Sequence, residues 1–435
     1  MSDAALRCPR HRAASLVLIV ATAVCYIGII TIRQGPPSGG DTAPLTSVTS
    51  ELSSGHLRAA AADTSLPNPP GYALLTSPLV AAFPSLAGSP TWCTTATRAA
   101  PMRLLPAFQH DPTFASDVAE CGSPTRRPDG TPGPPLPFWY RAQGVLGVLA
   151  WLVLVAGSLA LLRAAGADTL GRKAGLLVYL AFLPAASSAI VQLFHPQDIV
   201  SLGLAAAGLA QTFRRRWVFA GVLFGAAFLT KQFALLIMVP ALFAAPDIKA
   251  RLRTAVPAVA VFGAGLLPFL LAAPRATLEN LSGFSGGGAV AGSTVLTLVG
   301  VTGSVASAVA RDAPVVFAVV VCLWARQRLG GTLGRPQNLV ALALACVASR
   351  LVFESAIFPY YLLAASVLFF MLDLVARRSP YRSLAWSASA AFFAALRPGN
   401  HAVEAFGTLI LAVIAVGAGL AAMDKRQTVA SEPVA

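Results

Sequence analysis

Acidic residues are scarce in this chain. Its 435 residues include 18 Asp and Glu against 32 Lys and Arg, and charged residues together make up only 11% of the sequence. Soluble domains carry roughly 25%, so a soluble globular fold is excluded. No segments of about 10 residues alternate apolar with polar, which excludes a transmembrane β-barrel. Also absent are a Cys-x-x-Cys pair, a Walker-type glycine loop and a dinucleotide fingerprint. "SGGGAVAG" (285–292) lacks the flanking strand and helix of a phosphate cradle and reads as a loop. Nothing in the sequence therefore points to a soluble nucleotide as a donor.

What the chain has in quantity is apolar sequence: 56% of residues are hydrophobic. A bilayer accepts runs of roughly 20 apolar residues as spanning helices. The expected fold class is an all-α integral membrane protein. The net charge of +14 does not indicate nucleic acid, because the arginines stand in short clusters between apolar runs. That pattern signals topology.

The chain divides accordingly. Residues 1–12 form a basic cytoplasmic N-terminus. Residues 13–32 form a first span, since the run exceeds a signal-peptide core and "TIRQGPP" is no small-residue cleavage site. Residues 33–140 form a long extracytoplasmic loop with interfacial helices; within it 66–83 is expected to be a re-entrant or interfacial helix pair. Residues 141–422 form the multi-helix membrane domain, and 423–435 a cytoplasmic tail. Later spans are expected at 142–163, 174–193, 198–212, 217–230, 233–245, 254–273, 313–325, 337–352, 359–376, 383–396 and 406–422. Segment 217–245 is read as a hairpin turning at Thr230–Lys231, because only then do all the basic clusters share one side. About twelve spans result, with both termini cytoplasmic.

Of the six cysteines, Cys25, Cys322 and Cys346 fall in apolar spans and read as small core residues. Cys93 and Cys121 lie in a Pro-rich stretch placed outside the cytoplasm, where a disulfide between them is a candidate.

On this topology the unusual residues collect on the extracytoplasmic side. Asp41 follows two glycines just after the first span. It is either the N-cap of a short helix over 42–57 or a general base at the membrane surface. Glu51 and His56 follow it. In "FHPQD" (194–198), Pro196 and Asp198 suit the first turn of a helix, while His195 and Asp198 equally suit a substrate path at membrane depth. Lys231, at an apolar hairpin tip, either snorkels to the interface or pairs with a lipid phosphate. Glu354 adjoins a span with Arg350 as its only near neighbour of opposite charge. Tyr360 and Tyr361 beside it also read as aromatic-belt anchors.

The ordered stretches "GGDTAPLTSVTSELSSGHL" (39–57), "NPPGYALLTSPLVA" (68–81), "FHPQDIVSLGLAAAGLA" (194–210), "GVLFGAAFLTKQFALLIMVPAL" (221–242) and "FPYYLLAAS" (358–366) resemble the GT-C superfamily of polytopic membrane glycosyltransferases. The resemblance is strongest over residues 13–245. It departs from the family in lacking a Tyr between Thr42 and Leu52, in the Gln of "HPQD", and in the extra loop 88–137.

The resemblance implies an inverting transferase that takes mannose or arabinofuranose from a polyprenyl phosphate and passes it to an extracytoplasmic lipid, glycan or protein of a bacterial cell envelope. Asp41 would be the catalytic base. His195, Asp198, Lys231, Glu354, Tyr361, Tyr72 and His56 would bind substrate, with Lys231 or a loop arginine holding the departing phosphate. Some members use a divalent metal, Mg or Mn, although no set of ligands stands out here. A transporter or lipid flippase would use the same polar groups as a path, with interrupted helices in repeated halves. A non-catalytic relative would not depend on Asp41.

Overall fold

The computed structural model describes residues 17, 21–22, 42–63, 69–82, 140–192, 195–282, 294–301, 303–354, 359–396 and 401–423. Among them every regular element is helical. Asp41, Cys25, Cys93, Cys121, the termini and nearly all of the first expected span lie outside the described residues.

Three short helices belong to the first hydrophilic stretch: α1 (Thr42–Ser53), α2 (Leu57–Ala62) and α3 (Gly71–Ala82). The helix pair expected over 66–83 is instead the single helix α3. Pro78 stands inside it and withdraws one hydrogen bond from the Leu74 carbonyl. Ser77 Oγ donates to that same carbonyl at 3.5 Å, so the helix continues through the proline.

The main body begins with α4 (Tyr140–Ala164) and α5 (Leu170–Phe182). Trp151 Nε1 of α4 donates to the Leu180 carbonyl of α5 at 3.3 Å, which pairs the middle of one helix with the end of the other. The span expected at 174–193 is not continuous. Leu183 is extended and Pro184 opens a new short helix, α6 (Pro184–Ser187), bent 48° from α5. A proline removes an amide donor and drives its predecessor out of helical backbone. A π turn over Ser188–Gln192 then leads toward His195.

Next come α7 (Pro196–Phe213), α8 (Trp217–Thr230), α9 (Leu235–Ala244) and α10 (Ile248–Ala272). The break expected at Thr230–Lys231 is present: Lys231 is extended, with φ −156° and ψ 136°. A Cβ added at Gly221 would meet the Thr254 carbonyl, and one at Gly225 the Ala258 carbonyl, while Leu229 fills the space beside Gly265. These contacts climb both helices together, so α8 and α10 run parallel. The intervening α9 must therefore carry the chain back, and the hairpin reading holds. Arg326 confirms where α9 ends: its Nη1 donates to the Phe243 carbonyl at 2.5 Å and the Ala245 carbonyl at 3.3 Å.

Residues 274–312, expected as a loop, are partly helical: α11 (Pro274–Ser282), α12 (Val295–Leu298) and the first turns of α13 (Gly303–Leu329). The apolar run at 313–325 understated α13, whose opening turns carry Ser, Arg and Asp yet still propagate as helix. The chain closes with α14 (Pro336–Phe353), α15 (Leu362–Val375), α16 (Tyr381–Leu396) and α17 (His401–Ala422). Gln337 Nε2 donates to the Ala422 carbonyl at 2.6 Å, tying the start of α14 to the end of α17. Tyr179 fastens α5 to α15 and α16: its hydroxyl donates to the Ser366 carbonyl at 3.0 Å and lies 2.7 Å from Ser387 Oγ.

Among the described residues five helical stretches are long and apolar enough to cross a bilayer: Leu146–Ala164, Ile248–Ala272, Val305–Gly334, Pro336–Phe353 and Ala402–Ala422. Counting the bent α5–α6 pair gives six. Shorter apolar helices, α8 and α15 among them, stand beside these. The large side chains at the centre, Trp151, Phe224 and Phe369 included, are almost wholly covered. Outward faces such as Val256, Val259 and Leu271 of α10 remain exposed, as a lipid-facing helix requires.

Candidate functional site

Helix direction places the end of α8, the start of α7, the end of α14 and the start of α15 at one end of the bundle. The basic turns, Arg214–Arg216 and the Arg326 region, stand at the other. Five ionisable side chains meet at the first end. Asp198 Oδ2 of α7 lies 3.5 Å from Lys231 Nζ and 3.9 Å from His195 Nδ1. Arg350, near the end of α14, pairs with Glu354 one turn on. Asp198 is within electrostatic reach of Arg350, Glu354 and Tyr361, so the two ion pairs form one cluster.

Local sequence explains how each group arrives. Pro196 occupies the first helical position of α7, where its missing amide costs nothing. His195 precedes it outside the helix, with its amide donating to the Ala189 carbonyl at 2.5 Å. Lys231 interrupts an apolar run and caps α8. Ser201 fixes that turn by donating to the Ala227 carbonyl at 2.9 Å. From the outer segment Gly71 presses on the same turn, and a Cβ there would lie 2.5 Å from the Leu229 carbonyl oxygen.

The cluster is buried. Relative exposures run from 1% at Gln197 to 8% at Arg350, with Tyr361 partly exposed at its edge. The Gln197 side-chain amide lies 3.1 Å from His195 Nδ1 and holds the imidazole ring in place. Tyr360 stacks on that ring with centroids 3.8 Å apart and planes 20° from parallel. Tyr361 meets Tyr360 edge-on at 4.7 Å. Arg350 lies 4.5 Å above the Tyr361 ring and 5.9 Å from that of Phe233, both cation–π contacts.

Two properties of this arrangement bear on chemistry. First, the Asp198–Lys231 distance exceeds the 2.7–2.9 Å usual for a charge-assisted hydrogen bond, and Asp198 Oδ2 makes no hydrogen bond among the described residues. A buried carboxylate oxygen in that condition suits a ligand hydroxyl. Second, Arg350 and Phe233 also line an apolar cavity of about 600 Å³ between α8, α9, α10 and α13, with Phe228, Leu236, Phe262 and Val315 on its walls. Among the described residues no group of three or more His, Cys, Asp or Glu side chains stands close enough to hold a metal ion.

The structure thus unites five residues that the sequence singled out: His195, Asp198, Lys231, Glu354 and Tyr361. Tyr72, on α3, is buried, and its hydroxyl has no hydrogen-bond partner among the described residues. His56 pairs instead with Glu51, Nδ1 to Oε2 at 3.0 Å, and is half-exposed. Sequence reasoning noted Gln197 only as a departure from the resembled motif and gave Arg350 no role of its own. The signal for Arg350 was its i,i+4 spacing to Glu354 in an otherwise apolar helix.

The fold and the cluster define an all-helical membrane protein with a buried ionic site at one end of its bundle. No family model matches the chain, and no curated protein is similar to it.

Proposed function

We propose that the chain is a GT-C-like glycosyltransferase that moves a sugar from a polyprenyl phosphate to an extracytoplasmic acceptor. One observation carries this reading: Arg350 belongs at once to a buried ionic cluster and to the wall of an apolar cavity. A ligand with a hydrocarbon chain, a phosphate and a sugar needs those three environments side by side. The cavity suits the chain, while Lys231 and Arg350 suit the phosphate. Asp198 and the Tyr360–His195 stack offer a hydroxyl acceptor and a flat apolar surface for a sugar.

In this reading the acceptor hydroxyl attacks the anomeric carbon from the face opposite the phosphate. The bond from carbon to phosphate oxygen breaks, its electron pair leaves with the phosphate, and configuration inverts. Asp41, the residue before α1, takes the hydroxyl proton. Lys231 and Arg350 favour the growing phosphate charge, a contribution made mainly in the transition state. Twelve spans with both termini cytoplasmic are part of the same proposal.

Membranes containing the chain, supplied with radiolabelled polyprenyl-phosphate mannose or arabinofuranose, test it. Transfer of label should fall at least 100-fold in Asp41→Asn and Asp198→Asn at unchanged expression, a loss typical of a removed base or positioning group. Undiminished transfer in Asp41→Asn would end the base assignment.

The broken α5–α6 helix ending beside His195 favours a second reading, translocation of a lipid-linked sugar, because interrupted helices line transport paths. Label crossing the membrane without a new glycosidic bond would establish that reading instead.

A further inference from the structure

We infer that Arg311 and Asp312 form an ionic latch at the outer edge of the apolar cavity, opened when the phosphate of an incoming polyprenyl-phosphate lipid takes Arg311 from Asp312. The inference rests on the lipid-phosphate reading above and adds an entry step to it.

Arg311 and Asp312 are consecutive residues of α13, and neighbours in a helix point away from each other. They are nevertheless paired at two points: Nε to Oδ1 at 2.8 Å and Nη2 to Oδ2 at 3.0 Å. Both line the cavity, whose wall is otherwise almost wholly apolar. Their side chains are 51% and 61% exposed, whereas Arg350 at the inner end is buried. The cavity therefore carries two guanidiniums, one at its open edge and one at its closed end, each partnered by a carboxylate. Ionisable groups within a candidate span are costly and generally mark a ligand route.

An exposed pair is loosely held, whereas Glu354 holds Arg350 away from water. A phosphate offers more charge and more oxygens than Asp312, in the fork geometry that arginine prefers. Asp312 thus competes with the lipid for Arg311, and the two residues should affect binding in opposite directions. Arg311 takes the phosphate first, at the open edge; the phosphate then passes inward to Arg350 while the single hydrocarbon chain settles against Phe228, Phe262 and Val315. An apolar cavity of about 600 Å³ has room for one hydrocarbon chain, which favours a polyprenyl lipid over a two-chain phospholipid.

The test uses the full chain in phosphatidylcholine nanodiscs, titrated with a fluorescent polyprenyl phosphate. Asp312→Asn should tighten binding about fivefold and Arg311→Gln weaken it about fivefold, the effect of one arginine on an anionic lipid head. Uncharged polyprenol should bind equally to all three proteins. Inorganic phosphate and phosphatidylglycerol should compete weakly. Equal affinity in both variants, or a change in the same direction, would overturn the latch, as would phosphatidylglycerol competing as well as the polyprenyl lipid. If Arg350→Gln weakens binding while both latch variants match the wild type, the latch alone fails. If the wild-type chain binds no polyprenyl phosphate, the lipid-phosphate reading fails with it.

Discussion

Asp198 Oδ2 stands 3.5 Å from Lys231 Nζ, and both side chains are at most 4% exposed. The pair joins the start of α7 to the end of α8 and so closes one end of the helix pair that carries the site. Buried ion pairs contribute little net stability, but removing one partner strands the other and costs ~3–5 kcal/mol. Lys231→Met and Asp198→Asn should each lower the unfolding midpoint in detergent by several degrees. The double variant should recover most of the loss, because no unpaired charge remains. Thermal melts of all four proteins check this, and additive losses would show that the two groups do not interact.

The His195–Tyr360 stack gives a second prediction. Tyr360→Phe keeps the ring, so stability and sugar-lipid binding should stay near wild type. Tyr360→Ala removes a pair contributing ~0.5–1.5 kcal/mol beyond its buried area. It also exposes the imidazole, so binding should weaken about tenfold. Titration of the labelled lipid against both variants measures this. Equal losses would shift the role from the ring to the hydroxyl.

Gly71 tests whether the outer segment supports the site. Because its Cα lies against the Leu229–Thr230 backbone, Gly71→Ala must displace the turn that presents Lys231. Overpacking of this kind costs ~1–3 kcal/mol. Activity should fall more than stability does, since α8 and α10 remain packed. Gly166→Ala, at a turn with open space around it but φ of 70°, should cost stability alone. Comparing transfer rates with melting midpoints separates the two effects.

How legible this was in the sequence varies with the range of the cause. The Lys231 break was readable because one charge interrupts an apolar run on both sides. The helix start at Pro196 was equally local. Two errors came from treating apolarity as the helix boundary. The α5–α6 break lies inside an apolar stretch, where Pro184 was the only sign. The beginning of α13 is polar, which placed Arg311 and Asp312 in a loop although they belong to a helix. The meeting of Tyr360 with His195, or of Arg350 with a cavity built from α8, α9, α10 and α13, had no sequence signal, because each depends on helices packing across the bundle. Asp41 was singled out by sequence alone, and its position lies outside the described residues.

Arg350 gives the last prediction, since it joins the cluster to the cavity. Its guanidinium does three things at once: it pairs with Glu354, stacks on Tyr361 and faces the apolar wall. Arg350→Lys keeps the charge but loses the planar stack and the forked donors. A buried ammonium over Tyr361 still compensates Glu354, so the protein should fold with a loss of ~2 kcal/mol or less, the size of one desolvated cation–π contact. Binding of a polyprenyl phosphate should nevertheless weaken about tenfold, because two-point recognition of the phosphate is gone. Arg350→Met should strand Glu354 and destabilise the fold by ~3–5 kcal/mol, and Arg350→Met/Glu354→Gln should restore stability without restoring binding. Melting midpoints and lipid titrations on these three variants separate structural from ligand-facing roles. Recovery of binding in the double variant would show that Arg350 only balances Glu354 and never meets a phosphate.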